Sequence, residues 1–190
     1  MIVLVIGKIG TGKSTVCQIL KNLGANVINA DKVVADLYRP GKEGNKQIHK
    51  FFGPEYIKTD GNINRPRLRK EAFSSAAKLF MLNSLIHPLA YKEVAKKVEK
   101  TPGKLYFLEA IATYKLLVDA IVLVKTPFEI AKERNKHRQI NVTEFKKIFN
   151  SLQLPKKVDY TIDNRNTVKE LEKKVKTIYQ EICQKMLMKP

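Results

Sequence analysis

The chain has 190 residues, 44% of them hydrophobic, which is enough for one domain with a large core. No apolar run reaches the ~18 residues of a membrane span, and the apolar start at Met1 is too short and lacks the basic flank of a signal peptide, so a cytoplasmic location is expected. Lysine and arginine number 36 against 18 acids, a net charge of +18; the lysines are spread without blocks or interleaved aromatics, which favours a solvated surface, as in heat-stable proteins, over a nucleic-acid-binding face. Cys17 and Cys183 lack metal-like spacing and read as packing residues in a reducing compartment.

Residues 1–7, MIVLVIG, form a short apolar run rich in β-branched residues, the pattern of a buried strand. Gly7-Lys8-Ile9-Gly10-Thr11-Gly12-Lys13-Ser14-Thr15 follows and satisfies G-x-x-x-x-G-K-[ST] in full. Val16, Ile19, Leu20 and Leu23 then recur at helical spacing. A glycine turn between strand and helix lets successive N–H groups point inward, at the positive end of the helix dipole. Lys13 is expected to neutralise the β- and γ-phosphates of a nucleoside triphosphate, and the Ser14 hydroxyl to hold Mg²⁺. A dinucleotide-binding G-x-G-x-x-G does not fit, because the glycines fall at 7, 10 and 12 with Lys13-Ser14 behind them.

Gly24 stops the first helix, and residues 26–30 form a second short strand with Asp31 directly after it. The carboxyl ends of strands in an open parallel sheet face the ligand crevice, so Asp31 stands beside the phosphate loop if strand two neighbours strand one. It is a candidate catalytic carboxylate, and it would also serve as N-cap for a helix over 32–38. Residues 39–75 hold turn clusters around an amphipathic stretch at 45–52, and then Arg65, Arg67 and Arg69, three of the seven arginines. Such density suits bidentate phosphate contacts, and equally a solvated helix start.

Residues 76–86 have helical spacing until His87-Pro88, where Pro88 is expected to kink or restart the helix. The second half runs to Lys100 with Leu89, Val94 and Val98 on one face, and His87 by itself reads as structural. Residues 105–109 form a third strand ending in Glu109, an acid placed to orient Mg²⁺ through water. Residues 120–124 form a fourth strand, and Thr126-Pro127-Phe128-Glu129 reads as a capping box opening a helix. A basic run containing Arg134 and Arg138 leads into a second amphipathic helix marked by Val142, Phe145, Ile148, Phe149 and Leu152. Two short helices around a basic turn suggest a lid over 138–157 that carries arginines onto a transferring phosphoryl group. Residues 160–163 form a fifth strand, followed by Asn164, a capping box at Thr167 and Glu170, and a helix striped by Val168, Leu171, Val175, Ile178 and Ile182.

Strands alternating with helices imply an α/β fold: a three-layer α/β/α core with about five parallel strands, and two helical insertions. A single domain over 1–190 is expected, with a helical subdomain at 31–92.

The chain resembles the dephospho-coenzyme A kinase family over nearly its whole length. The residues that carry the resemblance are Gly24-Ala25-Asn26-Val27-Ile28-Asn29-Ala30-Asp31, which is similar to the family's G-A-x-V-I-D-A-D; Arg39-Pro40-Gly41; Phe52-Gly53-Pro54-Glu55; Asp60 to Arg65 with Leu68-Arg69 and Phe73-Ser74; Leu85-Ile86-His87-Pro88; and Tyr160 to Asn164. The resemblance implies a P-loop kinase that transfers the ATP γ-phosphate to the ribose 3′-hydroxyl of dephospho-coenzyme A, with Mg²⁺ as cofactor. It implies Asp31 as catalytic base, with Lys13 and Arg138 stabilising the moving phosphoryl. ATP would be bound by Lys8, Ile9, Gly10, Thr11, Gly12, Lys13, Ser14, Thr15, Arg134 and Asn164. The acceptor would meet Asp31, Arg65, Arg69, His87 and Glu109. Residues 31–92 would be the acceptor-binding part. The chain departs from the family pattern at Asn29, where the first acid of D-A-D stands, at Glu109 to Lys115, and at Tyr91, where an arginine is usual. Two alternatives stand beside this reading: a related kinase for a nucleotide or other small alcohol, and a nucleic-acid-binding NTPase or non-catalytic coenzyme A- or nucleotide-binding regulator.

Overall fold

A computed structural model of the protein describes residues 1–110, 118–136 and 141–188. Five strands form one sheet: β1 (Ile2–Ile6), β2 (Asn26–Asn29), β3 (Tyr106–Glu109), β4 (Ala120–Lys125) and β5 (Tyr160–Asp163). Their order is β2-β3-β1-β4-β5. β1 pairs in parallel with β3 and β4, and β4 in parallel with β5, with Val5 opposite Glu109 and Val122, and Lys125 opposite Asp163. The central strand is buried from Val3 to Ile6, which is why it reads as a continuous apolar run and not an alternating one.

β3 lies between β1 and β2, so strand two does not neighbour strand one. The acid whose strand abuts β1 on that side is therefore Glu109, at the end of β3. Consecutive strands tend to be adjacent, but a parallel pair needs a long crossover and any later strand can take the place.

The chain packs as two compact units, residues 1–28 with 102–190, and residues 29–101. In the first, α1 (Lys13–Asn22) lays Val16, Cys17, Ile19 and Leu20 against Val3, Val5 and Phe107 of the sheet. The carboxy-terminal α8 (Val168–Leu187) adds Leu171, Val175 and Ile182 to the same core, and Tyr179 meets the Phe107 ring at 5.9 Å. Each such fully buried aliphatic contributes roughly 1.5–3 kcal/mol relative to exposure. Thr167 caps α8 by accepting from the Glu170 N–H, as expected. α6 (Phe128–Glu133) and α7 (Val142–Ser151) join through Phe128, Ala131, Phe145 and Phe149. The capping box expected at Thr126 does not form: Pro127 is the N-cap of α6, and the Thr126 hydroxyl is directed to backbone carbonyls instead.

The second unit holds α2 (Ala30–Leu37), α3 (Glu43–Phe52), a 3-10 turn at Pro54–Tyr56, α4 (Arg65–Ala72) and α5 (Ala76–Glu99) around Ile48, Tyr56, Ile63, Leu68 and Ile86. Buried Asn45 donates to the carbonyls of Tyr38 and Gly61, tying the loop at 61 to α3. α2 begins at Ala30 with Asn29 as N-cap, its side chain accepting from the Lys32 N–H at 2.9 Å, so Asp31 is a first-turn residue and not the cap. α5 runs through Pro88 without restarting. The missing N–H costs one ladder bond, and a 24-residue helix that buries Ile86, Ala90 and Val94 on both sides of the proline outweighs it.

Candidate functional site: the phosphate loop and its surroundings

The loop at 7–15 leaves the carboxyl end of β1 and enters α1. Gly10 and Gly12 have φ of +78° and +90°, the left-handed region that glycine adopts without strain. A side chain at Gly12 would also collide with the Asn164 amide. The first turn of α1 carries no acid of its own, so its dipole is left to charges brought from elsewhere in the chain or by a ligand. The Lys13 ammonium donates to the carbonyls of Gly7 at 2.7 Å and Lys8 at 3.0 Å, which holds its charge over the loop.

The Ser14 hydroxyl donates to Glu109 Oε1 at 2.6 Å. This contact brings together two residues 95 positions apart, both expected to serve a metal. Two hard oxygens side by side at the mouth of a phosphate cradle suit Mg²⁺, which takes one or two protein oxygens and completes its shell with phosphate and water. Among the described residues no group of three or more His, Cys, Asp or Glu could hold a metal by itself. Below this pair, burial pushes the Cys17 thiol up, Glu109 adds to the effect and Lys13 offsets it, so Cys17 is an inert packing group.

Three groups from the ends of β4 and β5 and from α6 close in behind the loop. Asn164 Nδ2 donates to the Thr11 carbonyl at 2.9 Å. The Thr126 hydroxyl has that carbonyl at 3.2 Å and the Asn164 carbonyl at 3.0 Å within donation distance. Arg134 Nη1 donates to the Asn164 carbonyl at 2.9 Å. Lys8 Nζ sits 4.5 Å from the centre of the Phe149 ring, and Ile9 packs on the aromatic cluster of α6 and α7. Asn135, whose Nδ2 donates to the Ala131 carbonyl at 2.7 Å and would collide with any side chain at Gly10, joins Thr126 and Phe149 as residues not among the expected ones. The signal available for Thr126 was a small polar residue directly after a buried strand, which has the same appearance as a helix cap.

The family model of dephospho-CoA kinase matches residues 1–170. The chain belongs to the dephospho-CoA kinase family. The dephospho-CoA kinase of Aquifex aeolicus is 35% identical over 187 residues, 93% of this chain and 94% of that protein. A crystal structure from Thermus thermophilus superposes with a TM-score of 0.80 at 24% identity, covering 95% of this chain and 97% of its own. The dephospho-CoA kinase of Campylobacter jejuni superposes with a TM-score of 0.65 at 24% identity, covering 95% and 96%. At that identity the two structures show the fold, a parallel sheet wrapped by helices in the P-loop kinase arrangement. The protein is thus a kinase of the dephospho-CoA kinase family, and no helix among its described residues is long and apolar enough to cross a membrane.

The residues expected to meet the acceptor, Glu109 apart, lie in the second unit. Asp31 is exposed on the first turn of α2. Arg65, Arg67 and Arg69 lie on α4 with their guanidinium groups over the rings of Tyr38, Tyr56 and Phe73 at 5.5, 5.3 and 5.8 Å. Burial pushes the Tyr38 hydroxyl up to about 12, with Arg65 opposing, so Tyr38 stays neutral beneath its cation. His87 is half-buried on α5 against Tyr91, ring centroids 6.1 Å apart, and burial lowers its pKa, which favours the neutral imidazole. Arg138 and residues 111–115 lie outside the described residues.

Proposed function

We propose that this chain transfers the γ-phosphoryl group of ATP to the ribose 3′-hydroxyl of dephospho-coenzyme A, giving coenzyme A and ADP, within the cytoplasm. The observation that carries the reading is a family match over residues 1–170 around an unbroken phosphate loop. The donor side is Lys8 to Thr15: backbone N–H groups and the α1 dipole cradle the β- and γ-phosphates, and Lys13 supplies the mobile cation. Ser14 and Glu109 would hold Mg²⁺, which when bound neutralises phosphate charge.

On the acceptor side, Asp31 accepts the proton of the 3′-hydroxyl as its oxygen bonds to the γ-phosphorus and the bond to the ADP oxygen breaks. An exposed carboxylate on the first turn of α2 suits the role, because it is open to an approaching hydroxyl and stands at the end of the helix where a negative charge is favoured. Arg65 and Arg69 bind acceptor phosphates with guanidinium planes already oriented by Tyr38 and Phe73, His87 contributes a neutral hydrogen-bonding ring, and Arg134 and Arg138 approach the donor phosphates.

The test is ADP release by the purified protein, coupled to a spectrophotometric readout, across dephospho-coenzyme A, AMP, dTMP and shikimate. Dephospho-coenzyme A is expected to be turned over at least about tenfold faster than any other, a margin that needs only ~1.4 kcal/mol of differential transition-state binding. A faster rate on another acceptor sinks the assignment and points to the changed segment at 109–115.

A further inference from the structure

Of the buried polar side chains among the described residues, Thr11, Thr126, Asn135 and Asn164 surround the phosphate loop, and only Asn45 lies elsewhere. Burying polar groups is costly unless each is satisfied, so their concentration behind one loop calls for a physical reason. The Thr11–Gly12 peptide supplies one.

Rotating this peptide unit end over end changes only ψ of Thr11 and φ of Gly12. Glycine accepts either sign of φ, so the local backbone does not decide which way the unit faces. The decision is made from behind. Asn164 Nδ2 donates to the Thr11 carbonyl oxygen at 2.9 Å, and the Thr126 hydroxyl, whose one proton also has the Lys125 and Asn164 carbonyls at 2.8 and 3.0 Å, lies 3.2 Å from it. The peptide is trans. In a planar trans unit the N–H points opposite to the C=O. With the carbonyl drawn toward Asn164 and Thr126, the Gly12 N–H faces away from them, to the side on which a phosphate-binding loop gathers its donors. Asn164 is itself fixed: its N–H donates to the Lys125 carbonyl at 2.8 Å, and its carbonyl accepts from Arg134 at 2.9 Å.

We propose that Asn164 and Thr126 are positioning residues that lock the Thr11–Gly12 peptide so that the Gly12 N–H is presented to the nucleotide phosphates. The role rests on reading the loop as the ATP site, and it makes Asn164 a determinant of phosphate binding and not a direct contact to the nucleoside.

The two roles separate when the nucleoside is removed from the ligand. Binding of Mg·ATP and of Mg·tripolyphosphate is measured by calorimetry on the wild-type chain, Asn164→Asp and Thr126→Val. Asn164→Asp keeps the shape, loses the donor and adds a charge, so Asn164→Leu, which loses the donor without adding a charge, is measured beside it; in both variants both ligands are expected to weaken by the same factor, about tenfold or more, as when a buried acceptor loses its partner. Thr126→Val weakens both by a smaller common factor, and Thr126→Ser, which keeps the hydroxyl, restores them. The ¹⁵N–¹H resonance of Gly12 shifts in Asn164→Asp. Loss of ATP affinity with tripolyphosphate unchanged overturns the proposal in favour of a nucleoside contact. Wild-type affinities with only a lowered Tm overturn it in favour of a merely structural role. If Asn164→Asp does not fold, the Thr126→Val and Thr126→Ser pair decides by the same criteria. A wild-type chain that binds neither ligand refutes the ATP-site reading itself, whereas a chain that binds both but does not phosphorylate dephospho-coenzyme A leaves the lock standing.

Discussion

Asp31 shows how one side chain's position decides what its mutation reports. Had it capped α2, replacing it would disturb helix and chemistry together. Asn29 is the cap, so Asp31→Asn removes a charge from an exposed first turn and leaves the helix cap in place. If Asp31 is the general base, kcat is expected to fall by at least ~10²-fold, with Tm and the Kd for ATP little changed. A near-normal kcat in steady-state assays would refute the assignment. Individual residues were unequally legible in the sequence. Lys13, Ser14 and Glu109 could be singled out because a phosphate site would need a cation and hard oxygens at fixed places along strand and loop, and the structure brings Ser14 and Glu109 into contact. Thr126 was not, since a hydroxyl after a strand looks the same whether it caps a helix or reaches back 115 positions to a carbonyl. Asn164 was singled out, but its amide is committed to the backbone of the loop, a contact that only the assembled sheet creates.

Helix α2 carries a different test. Its stability at the amino end depends on one hydrogen bond from the Lys32 N–H to Asn29 Oδ1. Asn29→Ala is expected to lower unfolding free energy by about 1 kcal/mol, the usual size of a lost N-cap, in urea titrations. Asn29→Asp restores the family's acid and is expected to match or exceed the parent, because aspartate caps as well and its charge complements the dipole. A loss with Asp as large as with Ala would rule out capping as the role of this position. The strands and most helices were legible from periodicity, since each buries one face. α4, which buries only Leu68 and Ala72, was not, and neither was the course of α5 at Pro88, which depends on packing around Ile86, Ala90 and Val94 that sequence spacing does not weigh.

Over the full chain, 36 cations face 18 acids, and the ion pairs among the described residues are exposed, many of them one helical turn apart. Such pairs contribute little. A net charge of +18 then acts mainly as self-repulsion, which salt screens. Raising NaCl from about 20 to about 200 mM is expected to raise Tm in calorimetry, since the Debye length shortens to less than ~10 Å. A fall in Tm would mean that specific ion pairs dominate. The strand order was the least legible property of all. Sequence gives five strands and a parallel habit, but which of two strands takes the place beside β1 is settled by how the crossovers pack.

The bond from Asn164 to the Thr11 carbonyl spans 153 positions, and the partners of Thr11 and Ser14 at Thr126 and Glu109 span 115 and 95. A ribosome makes the phosphate loop long before the group that sets its peptide. Contacts of such separation carry the largest chain-closure cost and form late. The loop therefore gains its binding shape only when β5 has joined the sheet, and ATP recognises a chain that has finished folding.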